Sequence, residues 1–368
     1  MVKKPKNILI GVCGFGNGHV NREYSIIKLL LKFNVNIVLA VPCNTITFFN
    51  KHFPDLPKII VTIPWIVCDP LGMNFIKTLE AYKQANVDIF YEFLRFSIDV
   101  EKNFNGKPID FVFTDYESNV AQYAYAKNKP LVCIEQQSKY LLFDDTIDNF
   151  NANEEKSRLL YFFPRAEMRV VSSFFQIKAP IGYNIEIIPP ILKKMTKKET
   201  NNKKVLVYFS SFDPVNVNFE KILNLLSGVP HINFHVYCDL EYFNYSKCSN
   251  IFFSKINDGF ISNMEDCSFI ISSSGHQLIS EAINLEIPLY IFPLNTFEQN
   301  YNCKMVCDNN LGMKISEYTI SELGLFMKNL DFYKSKIKEF KLKYWNASWE
   351  EEFEQKVLNR LNIERKTT

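Results

Sequence analysis

The sequence predicts an α/β protein built from two parallel-sheet domains, and three observations predict it. Apolar runs alternate with amphipathic helical patterns, the signature of right-handed β-α-β units. The alternation stops at residues 193–204, KKMTKKETNNKK, which hold six lysines and almost nothing apolar, and then restarts. In each half one apolar run ends in small residues that open a helix: GVCGFGNGHVNREY at 11–24 and ISSSGHQLISEA at 271–282. A chain of 368 residues is long enough for two domains of about 150–200 residues each.

The elements follow in order. NILIGVC is a first strand, HVNREYSIIKLLLKF a helix with Tyr24, Ile27, Leu30 and Leu31 on its apolar side, and NVNIVLAVP a second strand. Residues 73–104 carry a long aromatic-rich helical pattern (Phe75, Leu79, Tyr82, Phe90, Phe93, Leu94). DFVFTD, a helix over 118–127 and PLVCIEQ complete the readable part of the first half. After the basic segment come KVLVYFSS, INFHVYC, NIFFS, SFIISSSG and PLYIFPL, all strands. The tail 341–368 reads as one more helix, capped by Asn346 or Ser348 with acids in its first turn. The expected boundaries are 1–192 for the first domain, 193–204 for a linker, 205–340 for the second domain and 341–368 for a helical tail.

Composition narrows the function. Apolar residues make up 47% of the chain and charged residues 22%, with a net charge of +2. Such balance gives no electrostatic case for nucleic acid. The nine cysteines are scattered, and Cys13, Cys133 and Cys238 fall inside apolar strands, as small buried hydrophobes of a reducing compartment do. Cys303-x3-Cys307 has no second Cys or His pair for a zinc site. No apolar run approaches a membrane span, and the basic N-terminus leads into a strand. A cytoplasmic protein is expected, with peripheral membrane association left open.

The first glycine turn, Gly14-x-Gly16-x-Gly18-His19, has a histidine where a dinucleotide loop needs glycine, and its second strand ends Leu39-Ala40-Val41-Pro42 without the ribose-binding acid. No Gly-Lys-Ser/Thr follows, so it is no P-loop. It still offers free amides and the positive end of a helix. His19 falls at the carboxyl edge of the sheet, where such folds bind ligands. The helix start disfavours an imidazolium, and a neutral imidazole is what a general base must be. Asp115, ending FVFTD, stands at the same edge and suits the imidazole's other N–H. The plainer alternatives are a histidine that packs the loop and an aspartate that caps the next helix.

In the second half Ser272-Ser273-Ser274-Gly275-His276 runs straight into a helix, a junction that lets a diphosphate approach the first amides. A plain N-cap is the other reading. Glu281 lies one turn below Gln277 on the same face, placed for a ribose diol. Glu298, Gln299 and Asn300 follow in a loop rich in groups that suit sugar hydroxyls.

GFGNGHVNR together with SSSGHQLISEAINLEIPLYIFPLNTFEQNYN resembles the glycosyltransferases of the GT-B fold. The likeness is to the inverting nucleotide-sugar enzymes that include the peptidoglycan N-acetylglucosaminyl transferase and families 1 and 28. It covers about the first 25 residues and 250–302, with agreement in architecture elsewhere. The resemblance implies two Rossmann-like domains facing a central cleft, with a C-terminal helix crossing back to the first. It implies that His19 is the base with Asp115 as its partner, and that Gly16 and Gly18 lie near the diphosphate or acceptor. Ser274, Gly275, His276 and Gln277 would hold the diphosphate, Glu281 the ribose, and Glu298 with Gln299 the donor sugar. Ser210 and Ser211 fall at a further phosphate contact, and Ile256 where main chain holds the base. Relatives commonly carry Gly-Gly where this chain has Gly275-His276, and the peptidoglycan enzyme lacks the Arg22 pattern.

No Asp-x-Asp flanks the donor stretch; Asp115-Tyr-Glu117 and Asp239-Leu-Glu241 are the nearest approaches. The residue eight beyond Glu281 is Leu289, where retaining enzymes often have a second glutamate. The expectation is therefore inverting transfer from a nucleoside-diphosphate sugar, UDP-linked by family likeness, to an acceptor hydroxyl, with no metal and no cofactor. The acceptor stays unidentified between glycan, lipid-linked and small molecules. A nucleotide-sugar hydrolase or 2-epimerase, and a non-catalytic sugar-nucleotide-binding subunit, are the alternatives.

Overall fold

A computed structural model of the chain describes residues 4–14, 16–61, 67–69, 72–143, 146–147, 149–179, 184–209, 218–238, 248–255 and 259–366. Ser210, Ser211 and Ile256 lie outside the described residues.

The first half opens with β1 (Lys6–Val12), α1 (Asn17–Leu30), β2 (Val35–Pro42), α2 (Ile46–His52) and β3 (Lys58–Val61). A small hairpin, β4 (Cys68–Asp69) with β5 (Gly72–Met73), leads to α3 (Phe75–Gln84) and α4 (Ile89–Asn103). Then come β6 (Phe111–Asp115), α5 (Ser118–Ala126), β7 (Leu131–Glu135) and a 3-10 turn at Gln137–Leu142. A second hairpin, β8 (Thr146–Ile147) with β9 (Phe150–Asn151), precedes α6 (Ala152–Phe162), β10 (Met168–Ser172) and β11 (Ile185–Ile188). The second half holds β12 (Asn201–Tyr208), α7 (Asn218–Ser227), β13 (Asn233–Tyr237), β14 (Ile251–Ser254), α8 (Gly259–Glu265) and β15 (Cys267–Ser272). It continues with α9 (His276–Asn284), β16 (Leu289–Ile291), α10 (Phe297–Asp308), β17 (Gly312–Lys314), α11 (Ile320–Lys328), α12 (Leu330–Tyr344) and α13 (Trp349–Phe353).

Both large sheets are parallel. The first has the order β11-β10-β7-β6-β1-β2-β3 and the second β14-β13-β12-β15-β16-β17. Each grows outward from its first strand and then returns to that strand's other side, so each has a topological switch point: β1 beside β6, and β12 beside β15. Ligands of open α/β sheets bind outside the carboxyl ends of the strands at such a point. Apolar residues cover both faces of each sheet, as strands buried on two sides require.

Two boundaries differ from the sequence reading. β12 begins at Asn201, inside the lysine-rich segment, because Lys204 Nζ reaches Asp266 at 2.6 Å and lets a polar strand start pair with β15. α12 runs on to Tyr344 before the tail leaves it. The tail helix does start at Ser348, whose side chain forms a capping box with Glu351. Trp349, Phe353, Val357, Leu358, Leu361 and Ile363 then pack into the core of the first half. Phe33, in the turn between α1 and β2, bridges to Arg365, so this segment returns to the first half.

The aromatic segment 73–104 folds as two helices, and much of its apolar surface faces outward. In α4, Phe96 and Val100 face the core, Glu92, Arg95 and Asp99 form a charged stripe, and Phe90, Leu94 and Ile98 form a third stripe toward solvent. Phe90 is 88% exposed.

Candidate functional site

β1 and β6 are neighbours, with Val12 opposite Asp115, and the Cys13 amide bonds to the Asp115 carbonyl at 3.0 Å. The turn after β1 therefore starts beside Asp115. Gly16 turns the chain with φ of +80°, and α1 begins at the next residue. One turn of helix then brings His19 and Arg22, three apart on one face, over the Asp115 carboxylate.

His19 Nδ1 lies 2.6 Å from Asp115 Oδ1, so the two sequence-predicted partners meet. Arg22 holds the same carboxylate bidentately, Nε to Oδ2 at 2.8 Å and Nη2 to Oδ1 at 2.6 Å. Arg22 Nη2 also stands 2.9 Å from His19 Nδ1. With its proton on Nδ1 the imidazole donates to Asp115 Oδ1 and leaves Nε2 as the acceptor nitrogen; with Nδ1 bare it accepts from Arg22 Nη2 instead. Burial works to raise the Asp115 carboxyl, but Arg22 and His19 outweigh it and hold the group below the usual aspartate range. Asp115 does not cap α5; Glu117 does, accepting the amides of Asn119 and Val120. Tyr116, at φ of 56°, lays its ring beside the imidazole with centroids 6.1 Å apart. Glu23 is fully buried just below, neither of its oxygens has a partner among the described residues, and burial with the Asp115 charge keeps it a neutral acid.

The second switch point supplies the opposite wall. β15 ends at Ser272, Gly275 precedes α9, and α9 has no side-chain cap and no acid in its first turn. The same is true of α1 behind Gly16. The two helix starts approach each other closely: a Cβ on Gly18 would stand 3.3 Å from the Gln277 Cβ. Two positive helix ends thus converge, and neither first turn carries an acid of its own, an arrangement suited to an anion.

Around this point the structure gathers most of the predicted donor residues. Ser274 Oγ donates to both the carbonyl and Oε1 of Gln299, at 2.7 and 2.9 Å. Gln277 Nε2 donates to Glu281 Oε1 at 3.1 Å, and burial lifts the Glu281 carboxyl to about 7. Glu298 sits half-buried in the first turn of α10, beyond its Thr296 cap. His276 turns away from the amides: its Nε2 accepts the Phe174 N–H at 3.3 Å, across the boundary between the halves. Burial and the charges of Lys139 and Arg22 hold it neutral.

Sequence reasoning did not single out Arg22, Glu23, Tyr116 or Lys139 as parts of the site. Lys139 is wholly buried in the 3-10 turn after β7, its Nζ donating to Gln136 Oε1. The sign that marks Arg22 was available, since it lies three residues after His19 on the same helix. Among the described residues no group of three or more His, Cys, Asp or Glu side chains is gathered as ligands of a metal ion.

Comparisons with known proteins agree with this architecture. The model of the family "Glycosyl transferase family 1" matches residues 6–331. An uncharacterized protein of Methanocaldococcus jannaschii, MJ1062, is 25% identical over 324 residues, covering 85% of this chain and 59% of its own length. Among solved structures, a UDP-glucosyltransferase from Polygonum tinctorium superposes with a TM-score of 0.69 at 12% identity, over 98% of this chain and 99% of its own. The spinosyn forosaminyltransferase gives 0.68 at 11% identity over 98% and 100%, and a Phytolacca americana enzyme complexed with UDP-2-fluoro-glucose and pterostilbene 0.67 at 13% over 98% and 99%. These low identities speak for the fold, which is GT-B. With the family match spanning most of its length, the chain belongs to glycosyl transferase family 1.

Proposed function

We propose that this chain transfers a sugar from a nucleoside-diphosphate sugar to an acceptor hydroxyl by a single inverting displacement. The observation that carries the reading is the His19–Asp115 contact set beside two uncapped helix starts. His19 Nε2 takes the acceptor's proton while Asp115 steadies the imidazolium that forms. The hydroxyl oxygen attacks the anomeric carbon, the bond to the diphosphate oxygen breaks, and the leaving group departs onto the amides at 274–277. Glu281 holds the ribose diol, and Glu298 and Gln299 hold the donor sugar. UDP is the nucleotide that the structural neighbours' names favour. What supports metal independence is ligand supply: the donor stretch has no Asp-x-Asp, and the first helical turns offer free amides instead.

His19→Ala tests the base. Transfer is expected to fall about 10²–10⁴-fold with little change in nucleotide binding. Near-wild-type transfer by that variant would sink the mechanism. Incubation of the wild type with donor alone reads the other chemistry: rapid nucleotide release without acceptor would make the protein a hydrolase or epimerase.

A further inference from the structure

This inference rests on the proposed function and concerns the charge of the leaving group. From Ile256 to Cys303 the sequence holds neither lysine nor arginine, so this stretch itself brings no permanent cation to the diphosphate. Its imidazole, His276, is kept neutral. A departing nucleoside diphosphate carries at least two negative charges, against about half a positive charge from each helix end. In the metal-free site proposed above, the first wall can supply the charge that this stretch lacks.

Arg22 is occupied there by both oxygens of Asp115. Lys193 lies over the rings of Tyr24 and Phe48 and acts on Glu281, at the ribose end. Lys139 is placed differently. It is wholly buried, Gln136 Oε1 accepts from its Nζ, and the rings of Tyr140 and Phe175 stand 5.0 Å away on either contact. No described carboxylate forms an ion pair with it. Its neighbours belong to both walls: Tyr140 packs on Phe297 at the start of α10, and Phe175 follows the residue that binds His276. Glu298 of α10 exerts the strongest acidic field on it, and His276 of α9 feels its charge in turn. A cation this deep, with carboxylates in its field but no ion pair to one among the described residues, is costly. The Gln136 amide repeats the pattern, for its buried Nε2 has no partner among the described residues. Two donor heads with one acceptor between them are the complement of an anion.

We propose that Lys139 is the cation that meets the departing diphosphate, supplied by the first wall and steered by Gln136. Nζ is buried and Tyr140 packs on Phe297, so a donor reaches it only by displacing the start of α10. Burial draws the ammonium down to about 7, against the pull of Glu298, Glu135 and Glu155 and with the push of Arg22, while His276 stays neutral. The arriving diphosphate restores the full charge.

The test uses the full chain with Lys139→Met and Lys139→Arg. Calorimetric titrations with inorganic pyrophosphate, with UDP, TDP, GDP and ADP, and with the matching nucleosides give affinities; thermal melts of each variant give stability. For K139M the expected result is a loss of about tenfold to a hundredfold in pyrophosphate and diphosphate affinity, the size of one charge-assisted hydrogen bond. Nucleoside affinity stays unchanged, and the melting temperature without ligand rises, because the desolvation cost of a buried ammonium has gone. K139R recovers part of the diphosphate affinity. Unchanged diphosphate binding by K139M overturns the inference, and so does a joint fall of nucleoside affinity and melting temperature, which marks a structural lysine. A wild type that binds none of these probes sinks the proposed function along with it.

Discussion

Burial lifts the Glu281 carboxyl to about 7, and this has a consequence for stability that can be signed. The native state holds the proton more tightly than the unfolded chain, whose glutamate titrates near 4.5. Native stability therefore falls as pH rises from about 4.5 to about 7 and stays lowered above that. Glu281→Gln removes the proton exchange while keeping an acceptor for Gln277. Thermal melts without ligand are expected to show the variant more stable than wild type at pH 8, by an amount on the order of 2 kcal/mol, with the gap closing toward pH 4.5. A gap independent of pH would mean that the carboxyl is not the titrating group. The residues legible in the sequence were those pinned to strand ends. Asp115 ends β6 and His19 lies in the helix after β1, so predicting the strands put both at the sheet's carboxyl edge; that the two strands are neighbours and the side chains meet comes from the structure. Lys139 was not legible, because a lysine that follows Gln136-Gln137-Ser138 carries no local sign of burial. Its burial comes from Tyr140, Phe175 and α10, which no local pattern foretells.

At the scale of elements, the turn ahead of α1 decides where His19 points. Gly16 combines φ of 80° with ψ of 158°, a region closed to side chains, although the space around it is open. Gly16→Ala should cost about 1–3 kcal/mol through backbone strain alone, or relax the turn and shift the helix start. A lowered melting temperature with transfer reduced in step would show the strain accepted; intact stability with transfer lost would show the turn relaxed. Ser348 was readable as a cap because a serine followed three residues on by glutamate is a chemical pattern of its own. The exposed stripe of α4 was not. Helical periodicity reports that a helix has apolar faces, but which one the core takes depends on partners elsewhere in the chain.

For the whole molecule, the C-terminal segment completes the core of the half it does not follow in sequence. Trp349, Phe353, Val357 and Leu358 are buried against the first sheet, and Lys356 donates to the Ile187 carbonyl at 2.9 Å. A chain ended after Trp345 should expose that surface. Loss of several large apolar contacts at about 1.5–3 kcal/mol each exceeds the margin of most domains. The truncated protein is expected to aggregate or to melt far below the full chain, as differential scanning calorimetry or solubility on expression would reveal. A well-folded truncation of near-normal melting temperature would contradict it.

The polypeptide passes between the halves twice, through residues 189–200 and again between Tyr344 and Ser348. Glu286 draws the two passages together, for Lys197 of the first and Lys341 on the helix leading to the second both reach it, at 3.1 and 3.7 Å. A door hung on two pins swings but does not wander. Any motion that keeps both tethers whole is confined to swinging about the line that joins them. On the mechanism proposed, each swing back would bring His19 to the same donor wall.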